Sequence, residues 1–514
     1  MGKRCAVATS QPLATLAGME MFWAGGNAVD AAIAMAIALT VVEPTSNGIG
    51  GDAFALVWDG KLHGLNASGK SPEKLTLEQF AGMAEIPTLG WLPVTVPGAV
   101  SAWCSLSQRW GKLPFEQLFV PAIRYAEEGF PVSPVTASAW QRAAGIYLPL
   151  KAVEFGPFKE VFFPGLRAPA VGEVWGSIDH GKTLKAIAQS GGESFYRGEI
   201  AQKIADFAAD TGGFLTTADL AAHQADWVEP ISTDYRHLTV WEIPPNTQGI
   251  AALMALDILE GFDLARYPRE SVESYHLQIE AMKLAFADVH RYIADPHFMK
   301  VAVAQLLDKA YAAKRRQLIG EQAITLAQPG LPKGGTVYLA AADPELMVSF
   351  IQSNYEGFGS GILIPGTGIA LQNRGLGFTL EAGHPNQLAP AKRSFHTIIP
   401  SFLTQDGQPL GPFGVMGAPM QPQGHLQVVV NLTDYGMNPQ AALDAPRWRF
   451  VSGNRVLLEQ TVPRNIALAL RDRGHDIQVR AQGRQFGKGQ IILRRNGVFV
   501  AASEPRADGL ALAQ

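Results

Sequence analysis

Only two cysteines, Cys5 and Cys104, occur in 514 residues, so neither a disulfide framework nor a cysteine-rich zinc site can form. That scarcity suits a reducing compartment. No run of lysine and arginine stands out and the formal net charge is −4, which excludes an electrostatic footprint for nucleic acid. The longest apolar run, Ala31 to Val42, is too short to span a bilayer and follows a helix start; it reads as a buried core helix. The opening "MGKRCAVATSQPLAT" has basic residues with no apolar segment behind them, unlike a secretory signal. A cytoplasmic protein without membrane or nucleic-acid partners is the expectation.

Several chemical signatures are missing too. The eleven histidines are scattered, and neither HExxH nor a paired-cysteine spacing appears, so no metal site is expected. "GIGGDAF" (Gly48–Phe54) and "GFGSGI" (Gly357–Ile362) are glycine-rich, but neither is GxGxxG opening a helix, nor GxxxxGK[ST]. They read as backbone that turns tightly or approaches something closely, and no nucleotide or other cofactor is implied. A GxSxG elbow is absent, which removes the usual serine-hydrolase signal.

What is present is a length suited to two to four domains or one large layered domain, with 47% hydrophobic residues. Helices are predicted over about Leu13–Trp23 and Ala28–Val42, then a hairpin of Ala53–Trp58 and Leu62–Asn66 turned by Asp59-Gly60. Amphipathic helices follow, among them Leu118–Glu128, Ile200–Thr211 and Ser271–Asp288. Beyond Thr336 the texture becomes strand-rich. "TVYLAAA" and "LMVSFIQ" flank Asp343-Pro344-Glu345, Thr397–Leu403 and Val456–Leu458 follow, and "KGQIILRR" and "GVFVAAS" form a hairpin, with one helix over Gly424–Asn431. An α+β assembly of sheets packed face to face and covered by helices is expected.

The one chemically loaded stretch is "PKGGTVYLAAAD", Pro332 to Asp343. A threonine hydroxyl is a poor nucleophile without an adjacent base. One base available to an N-terminal threonine is its own α-amine, whose pKa of about 7.7–8.0 lies near working pH. For Thr336 this requires chain cleavage after Gly335, and a Gly-Gly lead permits the backbone geometry for attack on the preceding carbonyl. From the local pattern alone, a plain strand start is the stronger reading.

The whole chain changes that balance. Ala8–Trp58, "VTVPGAV" (Val94–Val100), Leu113–Pro134, Leu215–Arg236 and Ile243–Phe262 resemble, in order, the γ-glutamyltranspeptidase family of N-terminal nucleophile hydrolases. "GFGSGILIPGTGIALQNR" and "VVNLTDYGMNPQAALDAPRW" continue the resemblance. It implies a four-layer αββα sandwich and autocatalytic cleavage between Gly335 and Thr336. The products are a large subunit, 1–335, and a small one, 336–514, which stay together as a heterodimer or a dimer of these. In "QSNYEGFG" the resemblance implies Ser353 and Asn354 as the pair assisting Thr336. In "GAPMQ" it places the backbone oxyanion donors at Met420 and Gln421, a task that N–H groups perform whatever the side chain.

The substrate clamp departs from the family pattern. Where the family has an arginine for the glutamyl α-carboxylate, "NASGKSP" has Ser68, with Lys70 two residues on. Where it has an aspartate for the α-amino group, "QNRGLGF" has Gly377. The family's paired serines align with His396 and Thr397, and the lid segment Thr379–Ala391 looks shorter. Losing an ammonium-binding carboxylate removes a charge-assisted contact of about 1.5–3 kcal/mol. The same loop gains Arg374, whose fork suits a carboxylate. A pocket with Arg374 and His396 and no anionic partner favours a small amide that bears an acid group and no amine, such as oxamate. The alternatives are a γ-glutamyl hydrolase or transferase acting on glutathione-like substrates, or a non-catalytic binding protein. Arg374 also reads as a structural ion, His396 as a buried satisfied histidine, and Lys70 as a solvent-facing side chain.

Overall fold

In the strand Gly335–Ala342, Tyr338, Ala340 and Ala342 face one hydrophobic cluster while Val337, Leu339 and Ala341 face another. The same alternation splits Asp52–Trp58, with Phe54 and Leu56 on the first side and Ala53, Ala55 and Val57 on the second. Period-two burial on both faces requires a sheet covered on each side. The computed structural model, which describes residues 1–325, 335–481 and 483–514, shows that sheet.

It is seven-stranded and antiparallel, ordered Leu510–Ala513, Ala6–Thr9, Gly335–Ala342, Met347–Tyr355, Asp52–Trp58, Leu62–Asn66, Asp226–Val228. A second sheet has six strands, ordered Val498–Ser503, Lys488–Arg495, Gln408–Met416, Ser401–Gln405, Leu238–Glu242, Ile231–Tyr235. Phe402, Met416 and Ile492 of the second sheet join Phe54, Tyr338 and Ile351 of the first in the core between them. Helices Pro12–Trp23 and Ala28–Val42 cover the outer face of the first sheet, and Ile250–Leu259, Val272–Tyr292 and Met420–Thr433 cover the second. The expected αββα sandwich is the fold.

Local signals account for the element ends. Asn27 accepts from the Val29 and Asp30 N–H groups while the Asp30 carboxylate accepts from the Asn27 N–H, a reciprocal cap that starts the Ala28–Val42 helix. Pro44 follows its end. All fifteen residues of that helix are buried, which explains an apolar run without a polar face. Leu118–Glu128, expected as one helix, is a 3₁₀ turn over Phe115–Phe119 and a helix over Val120–Glu128, because Pro121 opens a new first turn. The strand expected from Thr397 starts at Ser401 instead. The backbone before it is committed elsewhere: the His396 N–H donates to Asn246 O, and the Ile399 N–H to Gln421 Oε1. Among the described residues no helix is long and apolar enough to cross a membrane.

Candidate active site

Thr336 continues the inward alternation of Tyr338 and Ala340 to the end of its strand and is 3% exposed. Gly335 is the first residue of that strand; Pro332 to Gly334 lie outside the described residues. On the neighbouring strand the register runs Gln352 to Val337 and then Tyr355 to Gly335, so Ser353 and Asn354 together oppose Thr336. This is a two-against-one bulge, a device that re-aims side chains beside a site. The Thr336 hydroxyl donates to Ser353 Oγ at 3.3 Å. Asn354 donates through Nδ2 to Phe358 O at 3.3 Å, and its Oδ1 has no hydrogen-bond partner among the described residues.

The glycines around this bulge make room for it. A Cβ on Gly51 would sit 2.6 Å from Ser353 O, and one on Gly50 2.3 Å from Ala370 O, so "GIGGDAF" serves close approach rather than phosphate binding.

Arg374 is brought against the same serine by a 3₁₀ turn, Arg374–Gly377. Its Nη2 donates to Ser353 Oγ at 3.1 Å and its Nη1 to Thr397 Oγ1 at 2.9 Å. Its guanidinium lies 4.1 Å over the ring of Tyr355, whose own N–H donates to Ser353 Oγ at 2.7 Å. Arg374 is 1% exposed, and burial lowers its pKa to about 10. Tyr355 adopts φ +79°, an unusual conformation for a bulky residue, which the bulge and the stacked guanidinium hold in place.

Gly377 cannot carry the family's acid here. A Cβ would meet Phe395 O at 2.2 Å and Ser394 Oγ at 3.0 Å, so an aspartate requires the 394–395 backbone to move. The pocket is nevertheless not without an anion, contrary to the expectation from sequence. Asp52, fully buried, pairs in register with Ser353 and faces the same side of the sheet. Its Oδ1 accepts from Gln372 Nε2 at 2.9 Å and the Gly69 N–H at 3.1 Å, and its Oδ2 from His396 Nε2 at 3.1 Å. Burial pushes its pKa up to about 6, against the pull of Arg374 and of its hydrogen bonds.

His396 is a buried histidine with both ring nitrogens hydrogen-bonded. Nε2 donates to Asp52, Nδ1 accepts from the Ile398 N–H at 3.4 Å, and Phe54 packs edge-on against the ring at 4.7 Å. Burial first, then Arg374 and Arg393, hold its pKa well below the ordinary value, so it is neutral. Thr397 belongs to the site through Arg374. Ser68 is spent on structure: its hydroxyl donates to Asn66 Oδ1 at 2.7 Å and accepts from Asn246 Nδ2 at 3.3 Å. Lys70 is exposed.

Met420 and Gln421 open the helix Met420–Thr433 after Gly417 and Ala418, both at positive φ. Their N–H groups donate to Gly417 O at 3.0 Å and Ala418 O at 3.1 Å, closing the turn in this form. Gln248 ties the turn to the cluster by donating through Nε2 to both Thr397 O and Ala418 O. Tyr355 OH, Gln372 Oε1, Arg374 Nε and Gln421 Nε2 are buried with no hydrogen-bond partner among the described residues. Unsatisfied atoms on so many neighbouring residues fit a pocket completed by a polar ligand.

Sequence reasoning missed Asp52 and Tyr355. The available signal for Asp52 was a lone acid at an inward position of a strand that is otherwise apolar.

Among the described residues one other group has ligand-like spacing: the ligand atoms of His276, Glu280 and His475 all lie within 4.8 Å of one another. Lys283 Nζ already lies 2.7 Å from Glu280 Oε1, with both side chains fully buried, and that ammonium opposes a cation. The group instead holds the chain leading toward Thr336: His276 Nε2 donates to Gly320 O, and Glu280 Oε2 accepts from the Ile324 N–H.

Comparison with known proteins bears on the family and the fold. The gamma-glutamyltranspeptidase family profile matches residues 14–514. The crystal structure of cephalosporin acylase from Bacillus halodurans is 56% identical, with a TM-score of 0.96 over 100% of this chain and 96% of that one. The glutathione hydrolase-like YwrD proenzyme of Bacillus subtilis is 34% identical over 100% of this chain and 99% of its own length. The oxamate amidohydrolase proenzyme of Klebsiella pneumoniae is 34% identical, covering 97% of this chain and 96% of its own. With the sandwich, the family match and full-length relatives in agreement, the chain belongs to the gamma-glutamyltranspeptidase family and is an amide-bond hydrolase of the N-terminal-nucleophile type.

Proposed function

We propose that the chain cleaves itself between Gly335 and Thr336 and then hydrolyses a small amide whose acyl part bears a carboxylate, with oxamate, giving oxalate and ammonia, as the first candidate. Thr336 Oγ attacks the substrate carbonyl and the freed α-amine takes its proton. Backbone donors at Met420 and Gln421 turn from their helix-closing bonds to the oxyanion, and water releases the acyl group from the ester. Subunits 1–335 and 336–514 remain together, because each sheet is built from strands of both and Ala6–Thr9 is paired between two strands of the small one.

The observation that carries the substrate class is Arg374, a buried guanidinium with no carboxylate within ion-pair distance among the described residues, bonded to the serine beside Thr336. The blocked position at Gly377 argues in the same direction, against a γ-glutamyl α-amine. The test is turnover of a panel by the processed enzyme: ammonia from oxamate and from glutaramate, glutamate from glutathione. Anionic amides without an α-amine are expected to exceed glutathione by about 10-fold or more, the scale of one charge-assisted contact. Preference for glutathione would overturn this reading.

A second reading is favoured by the 56% identity to the cephalosporin acylase: the same acyl pocket serving an amide with a much larger leaving amine. Cleavage of a carboxyacyl cephalosporin faster than glutaramate would select it.

A further inference from the structure

Two opposite charges are buried in one pocket without touching. Arg374 spends both Nη groups on hydroxyls and stacks on Tyr355. Asp52 takes its bonds from an amide, a backbone N–H and an imidazole; among the described residues His396 is its only partner within ion-pair distance. Removed from water, each charge depends in part on the other to offset its lost hydration, with Arg393 also acting on Asp52 and Glu356 on Arg374. A substrate carboxylate on Arg374 changes that balance. It gives the guanidinium a partner in contact and leaves Asp52 as a second anion sharing the same cation.

Resting on the substrate reading above, we infer that a carboxylate binding at Arg374 is coupled to uptake of one proton by the Asp52–His396 pair, so that Asp52 sets how strongly the site selects an anionic acyl group. The proton comes from solvent, adds to the Asp52 carboxylate or is shared along its 3.1 Å bond to His396 Nε2, and is released when the product carboxylate leaves. No bond to substrate is made by either residue. Asp52 acts through Arg374 and is a positioning and specificity-determining residue.

The charged and titratable groups around the pair are few. Arg374 lies on the 3₁₀ turn, with the Tyr355 phenol beneath it and the Glu356 carboxylate, next in sequence to Tyr355, acting on both; Arg393 and His396 lie on the segment before the second sheet, and Tyr196 on a short helix. Burial raises both phenols, which stay protonated, and keeps His396 neutral, so Asp52 is the group placed to titrate near neutrality. The sign follows. With the free-enzyme carboxyl at about 6, a nearby bound anion raises it further, so binding is tight where the proton is already present and weakens as pH rises above about 6.

The experiment compares the anionic amide that the panel ranks first with its methyl ester, following ammonia release from pH 5 to 8.5 on enzyme shown by intact mass to be processed. Titration of the Thr336 amine affects both substrates alike and cancels in the ratio of their KM values. That ratio, anion over ester, is expected to be flat below about pH 6 and to rise by up to about 10-fold per unit above it. Asp52→Asn, neutral at every pH, is expected to flatten the ratio near its low-pH value. A wild-type ratio that does not change with pH overturns the coupling while leaving the substrate class intact. Equal use of ester and anion throughout overturns both. A slope that survives in Asp52→Asn overturns the assignment to this pair, and the wild-type comparison stands even if the variant does not fold.

Discussion

Thr336→Ala is expected to yield one uncut chain of 55.2 kDa with no measurable amide hydrolysis, and the native protein fragments of about two thirds and one third of its length. On the proposed mechanism the same hydroxyl serves twice. In the precursor it would attack the Gly335 carbonyl, placed by its 3.3 Å bond to Ser353, and in the mature enzyme it would attack the substrate. Alanine removes both steps, and loss of a nucleophile in enzymes of this kind costs on the order of 10⁴-fold or more in kcat. The fold itself should be little changed, because the position is an inward one at a strand end, next to a core that accepts alanine at 340 and 342. Thr336→Ser keeps the oxygen and is expected to process, more slowly, since losing the methyl frees the rotamer. Intact mass and ammonia release on the two variants make the check. An Ala variant that still splits, or a Ser variant as inert as Ala, would mean another group attacks.

How far the sequence led depended on how local each determinant is. Ala28–Val42 was legible to the residue because its cap lies within three positions, and Lys488–Arg495 because Asn496-Gly497, both at positive φ, make a tight hairpin turn. Gly424 was read as the start of a helix that begins at Met420. Its real constraint is distant: a Cβ there would stand 2.5 Å from Val415, where helix meets strand. The site divides the same way. Thr336, Ser353 and Arg374 stand in one continuous run of motifs. Asp52 acquires its meaning only through His396, 344 positions away. A tally of pocket charges taken from the 370–397 stretch therefore came out one anion short. At Gly377 the structure adds a constraint that the sequence does not display, the Phe395 carbonyl lying where a Cβ would go.

Arg374→Met is expected to lower kcat/KM for the anionic amide by about 10²–10³-fold. On the proposed reading the guanidinium would offer the substrate a charge-assisted contact of about 1.5–3 kcal/mol, and it supports both Ser353 and Thr397, so one substitution removes several interactions. Most of the loss should appear in KM for the anionic amide, while its methyl ester, which never used the charge, should lose only the part that comes from Ser353 placement. Arg374→Lys is expected to rescue little, because a single ammonium cannot bridge Ser353 and Thr397 as two Nη groups do. Stability carries the second half of the test. Without Arg374 the buried Asp52 carboxylate loses the stronger of its two opposing charges and keeps Arg393, and its pKa must rise further, so relative to the native protein the variant loses stability as pH climbs above about 6. Adding Asp52→Asn to Arg374→Met removes that stranded charge and should restore Tm at pH 8 without restoring turnover. If the double variant is no more stable than the single one at pH 8, the two charges do not offset each other. If Arg374→Met instead leaves anion and ester reduced alike, Arg374 serves the nucleophile alone and the carboxylate is held by another group.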